Sequence, residues 1–382
     1  MKPMETQNPE IEKMQVQQQE WSVPPVLAGY AASPAEAYAA RDANNLLSIQ
    51  LEITRSCNLR CRYCPRPGPE GPAQEADGVM LKDVIVQAKE MGARSVVLSG
   101  CGEPALYRHL NDLVTFIDGL EMVPVVATNA VLVFKELAGF LKSRNASVLV
   151  KFDSFVPAVQ DFLAGKEGAY SLMRNGLENL LEAGFGSDGQ RHLSLGATFI
   201  ATSRNQQEAE AFWRYCRDRR IYPNVEMMTR AGRGPVDLRL APVEQKRLKL
   251  ALLSIDRKEY GYDWNPYTPV PASGCMRYLC GLHVSVDGSV LPCAGTPLDQ
   301  HQDLRKNGEY PLNVKTKSLK EIYLSGPMYY SRHIDSFLEG KCKDCGFLHQ
   351  CIGCRGCAFV AGIAAGNGPL QALAGECPLC FK

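Results

Sequence analysis

Hydrophobic and polar positions alternate over residues 47–54 (LSIQLEIT), a period of two that predicts a strand. Residues 80–91 carry apolar side chains at helical spacing, and 94–99 (RSVVLS) form a short β-branched run. The two patterns then keep alternating. They predict a helix over 107–119, a strand over 123–127, a helix over 134–143 and a strand over 147–152. A helical stretch to about residue 183 leads to a strand over 193–201, a helix over 206–219 and a strand over 224–229. About six βα units result, with crossovers long enough for parallel pairing. Right-handed connections curl such a sheet into a partial or full (β/α)6 barrel of the α/β class, whose ligands sit at the carboxyl ends of the strands. The pattern leaves open whether the six strands close.

The rest of the chain reads differently. Residues 1–45 are rich in Gln, Glu and Ala with little apolar periodicity, which predicts a mobile or loosely attached extension before a core at 46–232. A linker with Pro and Tyr is expected over 233–274, then a cysteine-dense segment of low strand and helix content over 275–382. With 382 residues, 45% hydrophobic and 22% charged, the chain has ample material for a core, which excludes global disorder. Lys plus Arg number 42 against 41 for Asp plus Glu, so the basic excess of a nucleic-acid binder is missing. No apolar run approaches the roughly 18 residues of a membrane helix, and the polar N-terminus is no signal peptide. The expectation is a cytoplasmic protein with neither nucleic-acid nor membrane partners.

The 15 cysteines change the picture, because clustered thiols in a reducing compartment point to metal ligation. Cys57, Cys61 and Cys64 project from one loop after the first strand, Cys101 and Cys216 stand alone, and ten lie beyond residue 274. Three thiols suit an iron–sulfur cluster with one iron left open, since a fully protein-ligated cluster takes four. A zinc site completed by a distant residue satisfies the same spacing.

The CxxxCxxC motif with Tyr63 before its last cysteine resembles the radical S-adenosylmethionine (SAM) superfamily. A second match follows the second strand: Ser99-Gly100-Cys101-Gly102-Glu103-Pro104 resembles the family's GGEP motif, with Cys101 in place of a glycine. The resemblance implies that Cys57, Cys61 and Cys64 bind a 4Fe–4S cluster whose open iron is chelated by SAM. It also implies that Gly100, Gly102, Glu103 and Pro104 form the turn that receives the SAM amino group. Lys151 and Asp153 end the fourth strand, where relatives carry groups near the SAM ribose or carboxylate; solvent-facing strand-end polar residues are the plainer reading. Ala231-Gly232-Arg233 resembles another family position and also reads as an ordinary loop.

The C-terminal cysteines resemble the SPASM domain, which holds two auxiliary 4Fe–4S clusters. Cys275, Gly288 and Cys293 fit its first signature with Cys280 as an extra ligand, and Cys342, Cys345 and Cys351 fit its second. The usual next cysteine, three residues on, is absent. Cys354 and Cys357 flank that spacing, and Cys354 is favoured; Cys380 is favoured over Cys377 as the last ligand. By the family's interleaved order, one cluster takes Cys275, Cys280, Cys293 and Cys354, and the other Cys342, Cys345, Cys351 and Cys380. Read alone, Cys342-x2-Cys345 with Cys351-x2-Cys354 also has the look of structural zinc.

The resemblance, spanning about residues 47–382, implies reductive cleavage of SAM to a 5′-deoxyadenosyl radical that abstracts a substrate hydrogen atom. Auxiliary clusters then accept the electron left behind, and a flavodoxin- or ferredoxin-like donor supplies the first one. The first expectation for substrate is a peptide or protein, with a small molecule such as an aminosugar or tetrapyrrole precursor second. Ala294 stands where sulfatase-maturing relatives often carry an Asp, which counts against that activity. A non-enzymatic iron–sulfur or zinc protein is the alternative from another class, and it leaves the GCGEP turn without a purpose. No catalytic acid or base is identified; Asp153 and Tyr63 are the polar groups expected near the cluster loop.

Overall fold

The computed structural model describes residues 22–64, 74–187, 192–228, 234–306 and 310–382. The six strands expected from the alternation are present. They are β2 (Ser48–Leu51), β3 (Ser95–Leu98), β4 (Val123–Thr128), β5 (Ser147–Lys151), β7 (Leu195–Ala201) and β8 (Tyr222–Met227). All pair in parallel, in the order β2-β3-β4-β5-β7-β8. A short β1 (Val26–Leu27) pairs with β6 (His192–Leu193) in a separate ribbon. The near-continuous apolar runs of β3, β5 and β7, buried throughout or nearly so, are what a sheet covered on both faces demands.

Helices α2 (Gly78–Glu90), α3 (Leu110–Gly119), α4 (Lys135–Ser143) and α7 (Ala209–Asp218) make the crossovers, after α1 (Pro34–Asp42) in the N-terminal segment. The long helical stretch before β6 is two helices, α5 (Pro157–Ala164) and α6 (Ala169–Glu182), because Gly165 and Gly168 both take left-handed backbone. The start of α2 is fixed by Asp77, whose carboxylate accepts from Met80 N, and its apolar stripe Leu81, Val84, Ile85 and Ala88 is buried.

Three expectations need correction. Residues 22–45 are no loose extension: Leu27 is fully buried with Val97, Val125, Leu149, Leu193 and Tyr222, and Ser95 Oγ donates to Gly29 O at 2.7 Å. This segment covers the amino-terminal end of the sheet, opposite the strand ends that carry ligands, and α1 carries a full Ser33–Glu36 capping box. Residues 1–21 lie outside the described residues. The stretch read as a linker contains α8 (Pro242–Ile255), anchored where buried Asp256 accepts hydrogen bonds from Trp213, Trp264 and Arg217.

The cysteine-dense region also contributes to the main sheet. After α9 (Arg277–Cys280), β9 (Gly281–Val284) runs parallel to β2 and β10 (Val290–Leu291) turns back antiparallel, giving an open eight-stranded sheet β10-β9-β2-β3-β4-β5-β7-β8. Short helices α10 (Leu319–Tyr323), α11 (Gly326–Arg332), α12 (Arg355–Ala364) and α13 (Pro369–Ala374) complete it. The partial-barrel reading therefore holds, with β2 covered by the C-terminal region.

Leu27→Ala removes the central apolar side chain of the amino-end seal. It is expected to cost about 2–5 kcal/mol, read as a lower urea midpoint than the unaltered chain under identical conditions.

Candidate active site

The cysteine loop leaves the carboxyl end of β2 and is fastened along its length. Arg60 N donates to Ala164 O at 3.1 Å and Arg62 N to Leu163 O at 2.9 Å, so the loop lies along the end of α5. A Cβ at Gly165 would sit 2.3 Å from Arg60 O, so only glycine allows that approach. Leu59 is buried against Val131, Ala164 and Met173, and Asn129 Nδ2 donates to Asn58 Oδ1 at 2.7 Å.

The GCGEP turn at the end of β3 packs onto the same loop. A Cβ at Gly102 would meet Thr54 O at 2.4 Å and Ser56 O at 2.6 Å, and Glu103 N donates to Ser56 O at 2.8 Å. The Glu103 carboxylate is buried and accepts from Ala105 N at 3.0 Å, Thr128 Oγ1 at 2.5 Å and Asn129 N at 2.7 Å. Burial raises its pKa, and these hydrogen bonds oppose the rise. Glu103 thus joins the turn to the end of β4, while Pro104 is buried at the start of a 3₁₀ turn.

Glu52, which the sequence reading passed over, is fully buried behind the turn. It accepts from Cys101 N at 3.3 Å and from Val286 N at 3.1 Å, with Arg55 Nη2 3.4 Å away. Burial pushes its carboxyl up, but Cys101, Val286 and Arg55 outweigh that and hold it below its ordinary value.

Tyr63, Lys151 and Asp153 converge. The Tyr63 hydroxyl donates to Asp153 Oδ2, Ile200 N donates to Asp153 Oδ1 at 2.8 Å, and Lys151 Nζ lies 3.8 Å from Oδ1 and 4.8 Å above the Tyr63 ring. Burial, then the Asp153 charge, drives the Tyr63 phenol well above its ordinary value, so it stays a neutral donor.

These pieces surround one cavity of about 750 Å³, within the usual range of about 300–1,000 Å³ for small-molecule sites. Cys57, Cys61, Cys64, Tyr63, Gly100, Gly102, Glu103 and Lys151 line it; Asp153 sits behind Tyr63, and Pro104 is off the wall. Cys354 and Cys357 line its far side. Sequence reasoning missed Gln50, Glu226 and His283 on the same wall. Gln50 is a polar position of the β2 alternation and pairs with His283 in the β2–β9 register. The 231–233 match lies outside the described residues.

Cys57, Cys61 and Cys64 line the same cavity, as three ligands of one group would. Burial, then Asp153, pushes Cys61 up to about 12, so thiolate ligation there requires a cationic partner such as iron. In the C-terminal array, burial and then Cys275 raise Cys293 and Cys280 to about 12, and Cys354 adds to Cys275 and Cys293. Cys351 neighbours Cys377 and Cys380 in the same way. Four sulfurs also accept backbone N–H groups: Cys293 from Gly295, Cys351 from Gly353, Cys354 from Cys357 and Cys377 from Cys354, at 3.2–3.4 Å. Among the described residues, no group of three or more His, Cys, Asp or Glu is placed to hold a metal ion, so the structure itself gives no support to the two auxiliary clusters expected from the sequence. Cys275 and Cys354 share a second cavity of about 180 Å³, with Glu226 on the walls of both.

Residues 51–196 match the Radical SAM superfamily. The chain carries a radical SAM domain. The match runs from the end of β2 through the cysteine loop and the GCGEP turn to the start of β7, and it supports enzymatic, oxidoreductase-type activity with a SAM-binding iron–sulfur core. The AdoMet-dependent heme synthase of Methanosarcina barkeri is 23% identical over 347 residues, 82% of this chain and 92% of that protein. A GTP 3′,8-cyclase of Haemophilus influenzae is 28% identical over 187 residues, 47% of this chain and 53% of the cyclase. Streptococcus suis SuiB bound to S-adenosylmethionine shares the fold, with a TM-score of 0.66 at 18% identity over 91% of this chain and 81% of SuiB. SuiB bound to the precursor peptide SuiA gives the same TM-score. The likeness runs beyond the radical SAM domain into a C-terminal region of SPASM-like architecture. Among the described residues, no helix is long and apolar enough to cross a membrane.

Glu52→Gln replaces an acceptor by a group that is half donor, at an expected cost of about 1–3 kcal/mol at pH 7. A carboxyl held below 4.5 in the folded chain stabilises it above that pH and loses the contribution as pH falls through the folded value. The gap in urea midpoint between Glu52→Gln and the unaltered chain should therefore narrow below pH 4.5.

Proposed function

We propose that this chain is a radical SAM oxidoreductase with auxiliary clusters, acting on a peptide or protein side chain. The observation that carries this is the single cavity with the N-terminal cysteine loop on one wall and Cys354 of the C-terminal array on another. Cys57, Cys61 and Cys64 would hold the SAM-binding 4Fe–4S cluster. Cys275, Cys280, Cys293 and Cys354 would hold one auxiliary 4Fe–4S cluster, and Cys342, Cys345, Cys351 and Cys380, with Cys377 beside it, the other. When bound, these groups supply a hydrogen-abstracting 5′-deoxyadenosyl radical and an acceptor for the electron left on substrate.

The chain's own residues bind and shield. Gly100 and Gly102 bring main-chain groups of the turn to the cavity, where the SAM amino group would dock. Lys151 presents a cation suited to the SAM carboxylate, braced by Asp153 and Tyr63. Leu149, Ile200, Met227, Met228 and Leu240 provide apolar walls that exclude water from a reactive radical. A flavodoxin- or ferredoxin-like protein is the proposed electron donor.

The fold shared with a peptide-bound structure supports the peptide reading. A second reading, a tetrapyrrole precursor, is favoured by the heme synthase match, which covers nearly all of that relative. Arg239 on the cavity wall gives such a substrate's carboxylates a partner.

Anaerobic reconstitution should give about twelve irons per chain, and dithionite with SAM should release 5′-deoxyadenosine. Cys57→Ala, Cys61→Ala and Cys64→Ala together should remove about four irons and abolish that product. Product from the triple variant at the unaltered rate refutes the assignment. Faster SAM turnover with a mass change in a peptide, or instead in a tetrapyrrole, decides the substrate.

A further inference from the structure

We propose that Arg355 sets the reduction potential of the C-terminal iron–sulfur centres by donating N–H groups to their sulfur atoms. This rests on the reading above that the C-terminal cysteines hold clusters. Arg355 opens α12 directly after Cys354 and is 2% exposed. Its Nη1 is satisfied, donating to Leu373 O at 3.0 Å and Gly375 O at 2.8 Å. Its Nε and Nη2 are buried without a hydrogen-bond partner, and among the described residues no carboxylate pairs with the guanidinium. A buried, permanently charged group in that state is costly unless negative charge and acceptors lie beside it.

What lies beside it is the Cys377 side chain. A Cβ at Gly353 would fall 2.5 Å from Arg355 Nη2 and 2.7 Å from Cys377 Cβ, so the guanidinium and the Cys377 side chain share the space that glycine leaves. The same charge acts on Cys351 and Cys354, which belong to the two different proposed ligand sets. Lys249 makes the contrast. It is also fully buried near these cysteines, but its Nζ donates to Thr268 O at 2.8 Å and Leu379 O at 3.3 Å, a tether for the C-terminal segment. Reduction adds negative charge to a cluster, so a fixed cation with N–H···S contacts favours the reduced form and raises the potential.

The test uses the full chain bearing Cys57→Ala, Cys61→Ala and Cys64→Ala, so that only C-terminal iron remains, reconstituted anaerobically and titrated potentiometrically with EPR detection. About eight irons are expected in this parent. Arg355→Gln should retain them and move a midpoint to more negative potential; Arg355→Lys, which keeps the charge but loses the fork, should move it less in the same direction. Full iron with unmoved or more positive midpoints in both variants overturns the proposal. If Arg355→Gln loses iron, the Arg355→Lys titration decides by the same criterion. Iron loss from both variants with an intact circular dichroism spectrum makes Arg355 a structural tie and also overturns it. A parent without C-terminal iron overturns the auxiliary-cluster reading itself, a separate and distinguishable failure.

Discussion

The buried Glu52 carboxylate is the constraint on which the site depends. One oxygen accepts from Cys101 in the GCGEP turn and the other from Val286 in the C-terminal region, with Arg55 of the cysteine-bearing loop beside it. Three segments that are distant in sequence therefore meet on one charge. A carboxylate with these donors is tolerated in a core only because each is present; loss of any one leaves buried charge short of a partner. The parallel pairing of β9 with β2 places Val286 within reach, since Leu51 and Val284 are in register and Glu52 N donates to Val284 O. Sheet register and buried charge thus enforce the same docking.

From that knot outward, main-chain proximity more than side-chain contact shapes the cavity. Gly102 lies against Thr54 and Ser56, and Gly165 lies against Arg60, so the cysteine loop is clamped between two surfaces where no Cβ fits. Glu103 extends the clamp to β4 through Thr128 and Asn129. The glycines of the turn thus have a structural duty in addition to approaching a ligand: they let the turn and the loop touch. Rigidity there matters because three thiols can share one cluster only if their loop is held in one arrangement.

Much of this was legible in the sequence where the information is local. Strand alternation, β-branched runs and helix spacing marked all six core strands within a few residues, because parallel strands and their crossovers carry their pattern in neighbouring positions. The cysteine loop and the GCGEP turn were legible for a related reason: each is one contiguous segment at a strand end. What escaped is non-local. Gly281–Val284 is too short to announce a strand, and only its pairing with β2, over 230 residues away, makes it one. Leu27 looks like any apolar residue in a low-complexity stretch until Val97, Val125 and Tyr222 close around it. His283 on the cavity wall was lost with its strand, and Glu226 gave no local sign of its position.

The C-terminal array shows the same division. Cysteine spacing marked the chain segments, and the interleaved order of the two ligand sets came from the resemblance alone, because interleaving is a property of packing. In the structure, Cys354 neighbours Cys275 and Cys293, yet its own N–H reaches Cys377, so a single turn belongs to both halves of the array. Cys354 also faces the large cavity and the small one. A change in charge at one of these neighbours is felt at the others through a low-dielectric interior. The buried cations Arg355 and Lys249 lie near that crossing, where the chain supplies them with carbonyl oxygens and, among the described residues, no carboxylate. That leaves positive charge in the interior without an acid beside it, which is the charge that the proposed cluster ligands would balance.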